Sequence, residues 1–290
     1  MFLTTVSFSW LSIILTGDKS AEQFFIYSGG KKMNLKHVVA VGLTIFSFSS
    51  MAVSASLSKA EFCSDRKDKD YVKELALENE GNMSFTNHGG IANGGVCWWH
   101  SRFVRKALYL TYYKPELPAP TIDEAVEIIE KIRSGDEVIV IPGVSNFREF
   151  SRQYSALIQS ELENWQLVDG FIKQSWIVGL AGSHEVKPKN LKKKMDELYN
   201  YVVKENNIAY EKLQIKGITA HAWLVVDMKK VKGGYDLFII DSNYYSYPIE
   251  YNYRDGDTSF THPFYGNFVP YLEQKGEMKK IKKVISKYCK

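Results

Sequence analysis

The chain has 290 residues, 45% hydrophobic and 24% charged, a balance that suits a folded core and excludes a disordered or low-complexity chain. Its net charge of +4 gives no compositional support to nucleic-acid binding. Lysines cluster at Lys187 to Lys194 and Lys279 to Lys287, and both runs read as solvated faces of amphipathic helices.

Residues 33–55 have the three parts of a secretory signal peptide. Met33-Asn34-Leu35-Lys36-His37 is a basic start, Val38 to Phe48 an apolar core, and Val53-Ser54-Ala55 a small-x-small end. The apolar run is too short for a membrane span, so no stable span is expected in the mature chain. Cleavage after Ala55 would make the protein exported, either secreted or periplasmic. Residues 1–32 have no place in that scheme. Ser28-Gly29-Gly30-Lys31-Lys32, just before Met33, is what G-rich and then A-rich codons encode. A bacterial ribosome-binding site translated by mistake would look like this, so residues 1–32 are read as a mis-assigned upstream extension. Residues 56–290 are then one domain, a size that one core can support.

In chain order, a charged helix is expected around Lys67 to Glu80, followed by a Gly/Asn-rich loop from Gly81 to Gly95. A helix should start at Cys97 and run to about Tyr113. Its stripe is Cys97, Ser101, Val104 and Leu108, and Pro115 would stop it. Thr121 and Glu124 form a capping box for a helix reaching Arg133. Glu137 to Ile141 reads as a short strand ended by Pro142-Gly143. Phe147 to Trp165 and Leu191 to Lys204 read as helices. Strands follow at His221 to Asp227 and Tyr235 to Asp241, with one further strand before them. Helices first and strands later predict an α+β fold.

There are three cysteines, Cys63, Cys97 and Cys289. In an oxidising compartment Cys63 and Cys289 are the natural pair, because they lie near the two mature ends and chain ends often meet. Their bridge would leave Cys97 outside it. Gly94-Gly95-Val96-Cys97 puts a thiol at a helix start, where partial positive charge favours a thiolate and backbone N–H groups face outward. His221 and Asp241 each lie ten residues from Val231. A hairpin symmetric about that point would set them directly opposite, close enough for the carboxylate to orient the imidazole. Asn243 shares the face of Asp241 and is the fallback third member. A competing arrangement, Cys97-x-x-His100 with His88, has a spacing zinc can use, but no second Cys pair or fourth ligand accompanies it. No metal and no cofactor are therefore expected. His184 and His262 stand alone and read as surface or packing residues.

Cys97-Trp98-Trp99-His100-Ser101 resembles the Cys-Trp-x-x-Ser segment at the nucleophile of papain-like cysteine peptidases. The order Cys, His and then Asp on the following strand is also similar. The resemblance covers these segments alone. It implies a papain-like fold, with a helical lobe carrying Cys97 packed against an antiparallel β-sheet carrying His221 and Asp241. It also implies a protein or peptide substrate cleaved through a Cys-His-Asp triad. Amidase or transglutaminase-like acyl transfer is the alternative chemistry, and an exported binding protein on an inactivated hydrolase fold is the alternative class. Papain-like peptidases usually carry a Gln six residues before the Cys, to donate to the oxyanion. Here Ile91 stands at that position. Asn93 and Asn87 are the candidate side-chain donors in its place, beside the Cys97 amide.

Overall fold

The structure is a computed structural model that describes residues 25–28, 31–34, 57–68, 70–169, 183–216, 220–244, 248–273 and 275–290. The chain divides into two units, residues 1–55 and 56–290. In the first, β1 (Phe25–Ser28) pairs antiparallel with β2 (Lys31–Asn34). Most of the expected signal peptide, from Leu35 onward, lies outside the described residues.

The second unit is α+β, with helices preceding a sheet. It opens with two short helices, α1 (Lys59–Asp65), which was not expected, and α2 (Tyr71–Leu77), which lies within the charged helix expected around Lys67 to Glu80. A Ser58/Glu61 capping box starts α1. Between the helices, Arg66 turns inward and donates to the carbonyls of Leu108, Tyr109 and Thr111 at 2.9–3.0 Å. It thereby satisfies the C-terminal end of the central helix α3 (Cys97–Leu110).

Helix α3 is buried on nearly every side: of its residues only Arg102 is not fully buried. The helix stops earlier than Pro115 would require. Thr111-Tyr112-Tyr113 is β-branched and aromatic, and Thr111–Lys114 leaves the helix to form β3, parallel to β4 (Ile139–Pro142). Helix α4 (Ile122–Ser134) has its Thr121/Glu124 box and ends on Gly135, whose φ of 67° suits a residue without a Cβ. The expected helix from Phe147 to Trp165 is two, α5 (Phe147–Gln153) and α6 (Ser155–Leu167). They break at Tyr154, whose hydroxyl donates to the Pro120 carbonyl at 2.7 Å. Helix α7 (Pro188–Tyr199) begins on a proline, which suits a first turn, and runs into a π-helical turn at Asn200–Lys204.

Six antiparallel strands follow in spatial order β8-β7-β6-β5-β10-β9. They are β5 (Ala209–Ile215), β6 (Ala220–Val231), β7 (Gly234–Asp241), β8 (Ile249–Arg254), β9 (Phe260–His262) and β10 (Gly266–Glu273). The strand expected before His221 is β5; the three after Asp241 were not expected. Helix α3 packs against β6 and β5, and the shared core includes Phe103, Val104, Leu108, Trp223 and Leu224. Helix α8 (Lys275–Tyr288) closes the chain. Among the described residues no helix is long and apolar enough to cross a membrane.

Cys63 of α1 and Cys289, just past α8, form a disulfide with a Cα–Cα distance of 5.6 Å, beside Phe62, Tyr112 and Tyr288. The bridge spans 226 residues. Closing so long a loop restricts the unfolded chain, so Cys63→Ser with Cys289→Ser should lower stability by about 2–4 kcal/mol. Urea denaturation of the two proteins checks this; equal midpoints would remove the bridge from the account.

Candidate active site

Two side chains of the first turn of α3 fix Cys97 against the sheet. The Trp98 indole N–H donates to the His221 carbonyl at 3.2 Å, and the Ser101 hydroxyl donates to the Ala222 carbonyl at 3.3 Å. Positions 98 and 101 share a helix face, so the two bonds anchor the helix start to the start of β6. Cys97 itself is 6% exposed and stands outside the disulfide. It is hydrogen-bonded to the His221 side chain.

His221 Nε2 lies 2.6 Å from Asp241 Oδ1. That engagement leaves Nδ1 as the ring nitrogen for the thiol. The pair is brought together by a register other than the symmetric one. The hairpin turns on Lys232-Gly233, with Val231 opposite Gly234, and the register shifts between Val225 and Asp227. The result places Trp223, not His221, opposite Asp241. His221 is two residues from Trp223 and hence on the same face, so Asp241 reaches it along the diagonal. The later turn alone would set Leu224 opposite Asp241, and the bulge returns one position to Trp223, which keeps His221 on the face of Asp241.

Both members are buried, His221 at 5% and Asp241 at 0% exposure. Burial pulls the His221 pKa down, but the charges of Asp241 and Cys97 and its bonds to both outweigh that and push it up to about 10. Burial also opposes charge on Asp241. The adjacent imidazolium and the hydrogen bonds from His221 and the Asn243 N–H still hold its carboxyl below the usual range.

The three asparagines fall elsewhere. Asn87 is a brace between the loop before Cys97 and the chain after Asp241. Its N–H donates to the Ser242 carbonyl at 2.6 Å and its Oδ1 accepts from the Val96 N–H at 2.5 Å. Its Nδ2 donates to Asn243 Oδ1 at 3.2 Å. Gly95, at φ +84°, passes so close that a Cβ there would stand 2.4 Å from Asn87 Nδ2. Asn243 is exposed, and its side chain serves Asn87 while its N–H serves Asp241. Asn93 is exposed with φ 55°, a conformation asparagine tolerates in tight turns.

The opposite side of the loop is held by α6, which the sequence reading did not connect to the site. Gln159 donates to the His88 carbonyl at 3.0 Å, and Glu163 accepts from the Gly90 N–H at 3.1 Å. Gln166 is buried and bonds twice, accepting from the Ile91 N–H at 2.8 Å and donating to the Gly95 carbonyl at 2.9 Å. The signal was present in the sequence: positions 159, 163 and 166 are spaced i, i+4, i+7, a polar stripe on a helix with an apolar stripe elsewhere.

The remaining histidines divide. His100 is buried, meets the Phe85 carbonyl at 3.2 Å, and is pushed down to about 4 by burial. His88 meets the Thr86 carbonyl at 2.7 Å. His262 is buried and stacked on Tyr265 at 3.9 Å, and burial lowers its pKa; Tyr265 in turn lies 5.9 Å from the His221 ring. It is thus a packing residue close to the dyad rather than a distant one. Among the described residues no group of three or more His, Cys, Asp or Glu is placed to hold a metal. Compared with known proteins, the chain matches no family model, no curated protein and no solved structure.

Because, among the described residues, Gln166 is the partner of both Ile91 N–H and Gly95 C=O, Gln166→Ala should cost about 1–3 kcal/mol, the penalty for groups left unbonded. Urea denaturation measures the loss, and hydrogen exchange should rise at residues 90–96. Unchanged stability would mean the loop holds its shape without α6.

Proposed function

We propose that residues 56–290 are an exported cysteine hydrolase of the papain-like kind, acting on a peptide bond with Cys97 as nucleophile. The observation that carries the reading is one continuous chain of contacts: Cys97 to His221, and His221 Nε2 to Asp241 at 2.6 Å, at the start of a buried helix. A nucleophile, a base and a group that orients the base are the parts nucleophilic catalysis requires.

In this reaction His221 Nδ1 takes the thiol proton, and the thiolate attacks the substrate carbonyl. The developing oxyanion lies against the start of α3, at the Cys97 and Trp98 N–H groups, since those of Trp99 and His100 donate to the Val96 carbonyl. His221 then gives its proton to the leaving amine, and an acyl-enzyme remains. A water deprotonated by His221 hydrolyses it, and the thiol returns. Asp241 stays ionised throughout, holding the ring and stabilising the imidazolium. Asn87 is taken up as a brace of the loop and Asn93 stands exposed in a turn, so the backbone N–H groups carry the oxyanion role. Transfer of the acyl group to an amine instead of water would give transglutaminase-like chemistry from the same dyad. A non-catalytic binding protein is the second reading, and the shallow exposure of Cys97 favours it.

A thiol-directed probe separates the two. Cys97 should alkylate rapidly at mildly acidic pH, and His221→Ala should reduce that rate and peptide turnover by roughly 10²–10⁴-fold. Asp241→Ala should reduce both less, since it acts through the ring. Alkylation indifferent to His221→Ala would end the catalytic reading.

The His221 shift has a stability consequence of defined sign. Its folded pKa, about 10, lies above the ordinary 6.5, so the unfolded chain loses that proton first. The stabilisation is complete below about pH 6.5 and is lost as pH rises through about 10. The stability gap between the parent protein and Asp241→Asn should therefore narrow over that interval, as read by urea denaturation. A gap that widens would reverse the assignment of charge.

Export rests on the leader at Met33 to Ala55, and the Cys63–Cys289 bridge supports it because such bridges persist in oxidising compartments. N-terminal sequencing of the native protein should begin at or near Ser56. An intact leader on a cytoplasmic protein would overturn the assignment.

A further inference from the structure

Beyond its first turn, α3 carries a second group of buried charges with no part in the chemistry proposed for Cys97. Glu277 of α8 meets three cations of this helix: Arg102 Nη2 at 2.9 Å, Arg105 Nη2 at 2.5 Å and Lys106 Nζ at 3.3 Å. Arg102 Nη1 also reaches Asp169 at 3.1 Å. Three cations thus face two carboxylates, and none of the five side chains is more than 16% exposed. An excess charge held out of water is costly unless something compensates it. The strain of burial shows at Lys106, whose pKa is pushed down to about 8 by burial even with Glu277 beside it. Among the described residues no further carboxylate pairs with the three cations, and residues 170–182, which follow Asp169, contain no Asp or Glu.

This group opens onto a pocket of about 620 Å³, within the range of small-ligand sites. Arg102, Lys106, Arg133 and Lys280 line it against Glu277 and Asp169. Its cations are positioned and keep donors to offer. Lys106 Nζ is held by Glu277 and by the Arg133 carbonyl. Lys280 Nζ is held by Asp136 at 2.6 Å and the Ser134 carbonyl at 3.1 Å. An ammonium has three N–H bonds and a guanidinium five, so hydrogens remain on each. The Trp165 ring lies 4.4 Å from the Arg102 guanidinium and 4.6 Å from Lys106 Nζ, which fixes both heads at the pocket wall.

We infer that this pocket binds a small anionic ligand through an oxyanion group, phosphate or carboxylate, which neutralises the excess charge between α3, α6 and α8. Isothermal titration with inorganic phosphate and with succinate, at ionic strength held constant with sodium chloride, tests this and tells the two anion types apart. One or both should bind saturably. Lys106→Met should weaken binding roughly tenfold, as the loss of one charged hydrogen bond would. Lys280→Ala, at a rim position with a 46% exposed side chain, should weaken it by a smaller factor and leave the fold intact. If Lys106→Met does not fold, Lys280→Ala decides alone. Absence of saturable binding by both anions, or binding unchanged by the variants that fold, would overturn the inference.

Discussion

The contact on which the rest depends is the seating of the first turn of α3 on the start of β6. Trp98 and Ser101 bond to consecutive carbonyls, of His221 and Ala222, so the thiol and the imidazole come from elements that have no freedom relative to each other at that point. A helix start supplies outward-facing N–H groups and a strand supplies a ring on a fixed face. Neither element could provide both. The docking therefore creates the site, and the burial of α3 on almost every side holds it in place.

That burial sets a second demand. A helix wholly surrounded by protein has few places for its charged residues, and Arg102, Arg105 and Lys106 are gathered by Glu277 and Asp169 instead of reaching water. The loop leading into the helix faces the same problem with backbone groups. Gly90 and Ile91 donate, and Gly95 accepts, to side chains of α6, while Asn87 takes Val96 from the other side. The glycines that permit the tight path also remove side chains that would have stiffened it, and polar side chains from neighbours restore the stiffness.

How much of this could be read from the residues divides by the range of the interaction. The capping box at Thr121 and Glu124, the helix start at Cys97 and the strands around His221 and Asp241 follow from local patterns, and they stand in the structure. The end of α3 did not follow from Pro115, because pairing of Thr111–Lys114 with β4 is a tertiary event that overrides a distant helix breaker. The hairpin register was misplaced because the turn lies at Lys232-Gly233 and not at Val231; the bulge near Val226 returns one position, so His221 shares the face of Asp241 and meets it as a diagonal neighbour. Asn87 and Asn93 looked alike in a Gly/Asn-rich loop, yet one braces the loop and the other faces solvent. Gln166 was missed for the opposite reason: it lies far along the chain, on a helix that seemed to serve only packing.

The bridge between Cys63 and Cys289 joins the two ends of the second unit, so that nearly the whole of it is a covalent ring. A ring has a property that a linear chain lacks: one cut opens it without dividing it. A protease nicking any exposed turn between residues 63 and 289 would leave a single molecule of unchanged mass apart from one added water. Fragments could separate only after a second cut or reduction of the bridge. This closure turns the first scission from loss of a fragment into a local opening.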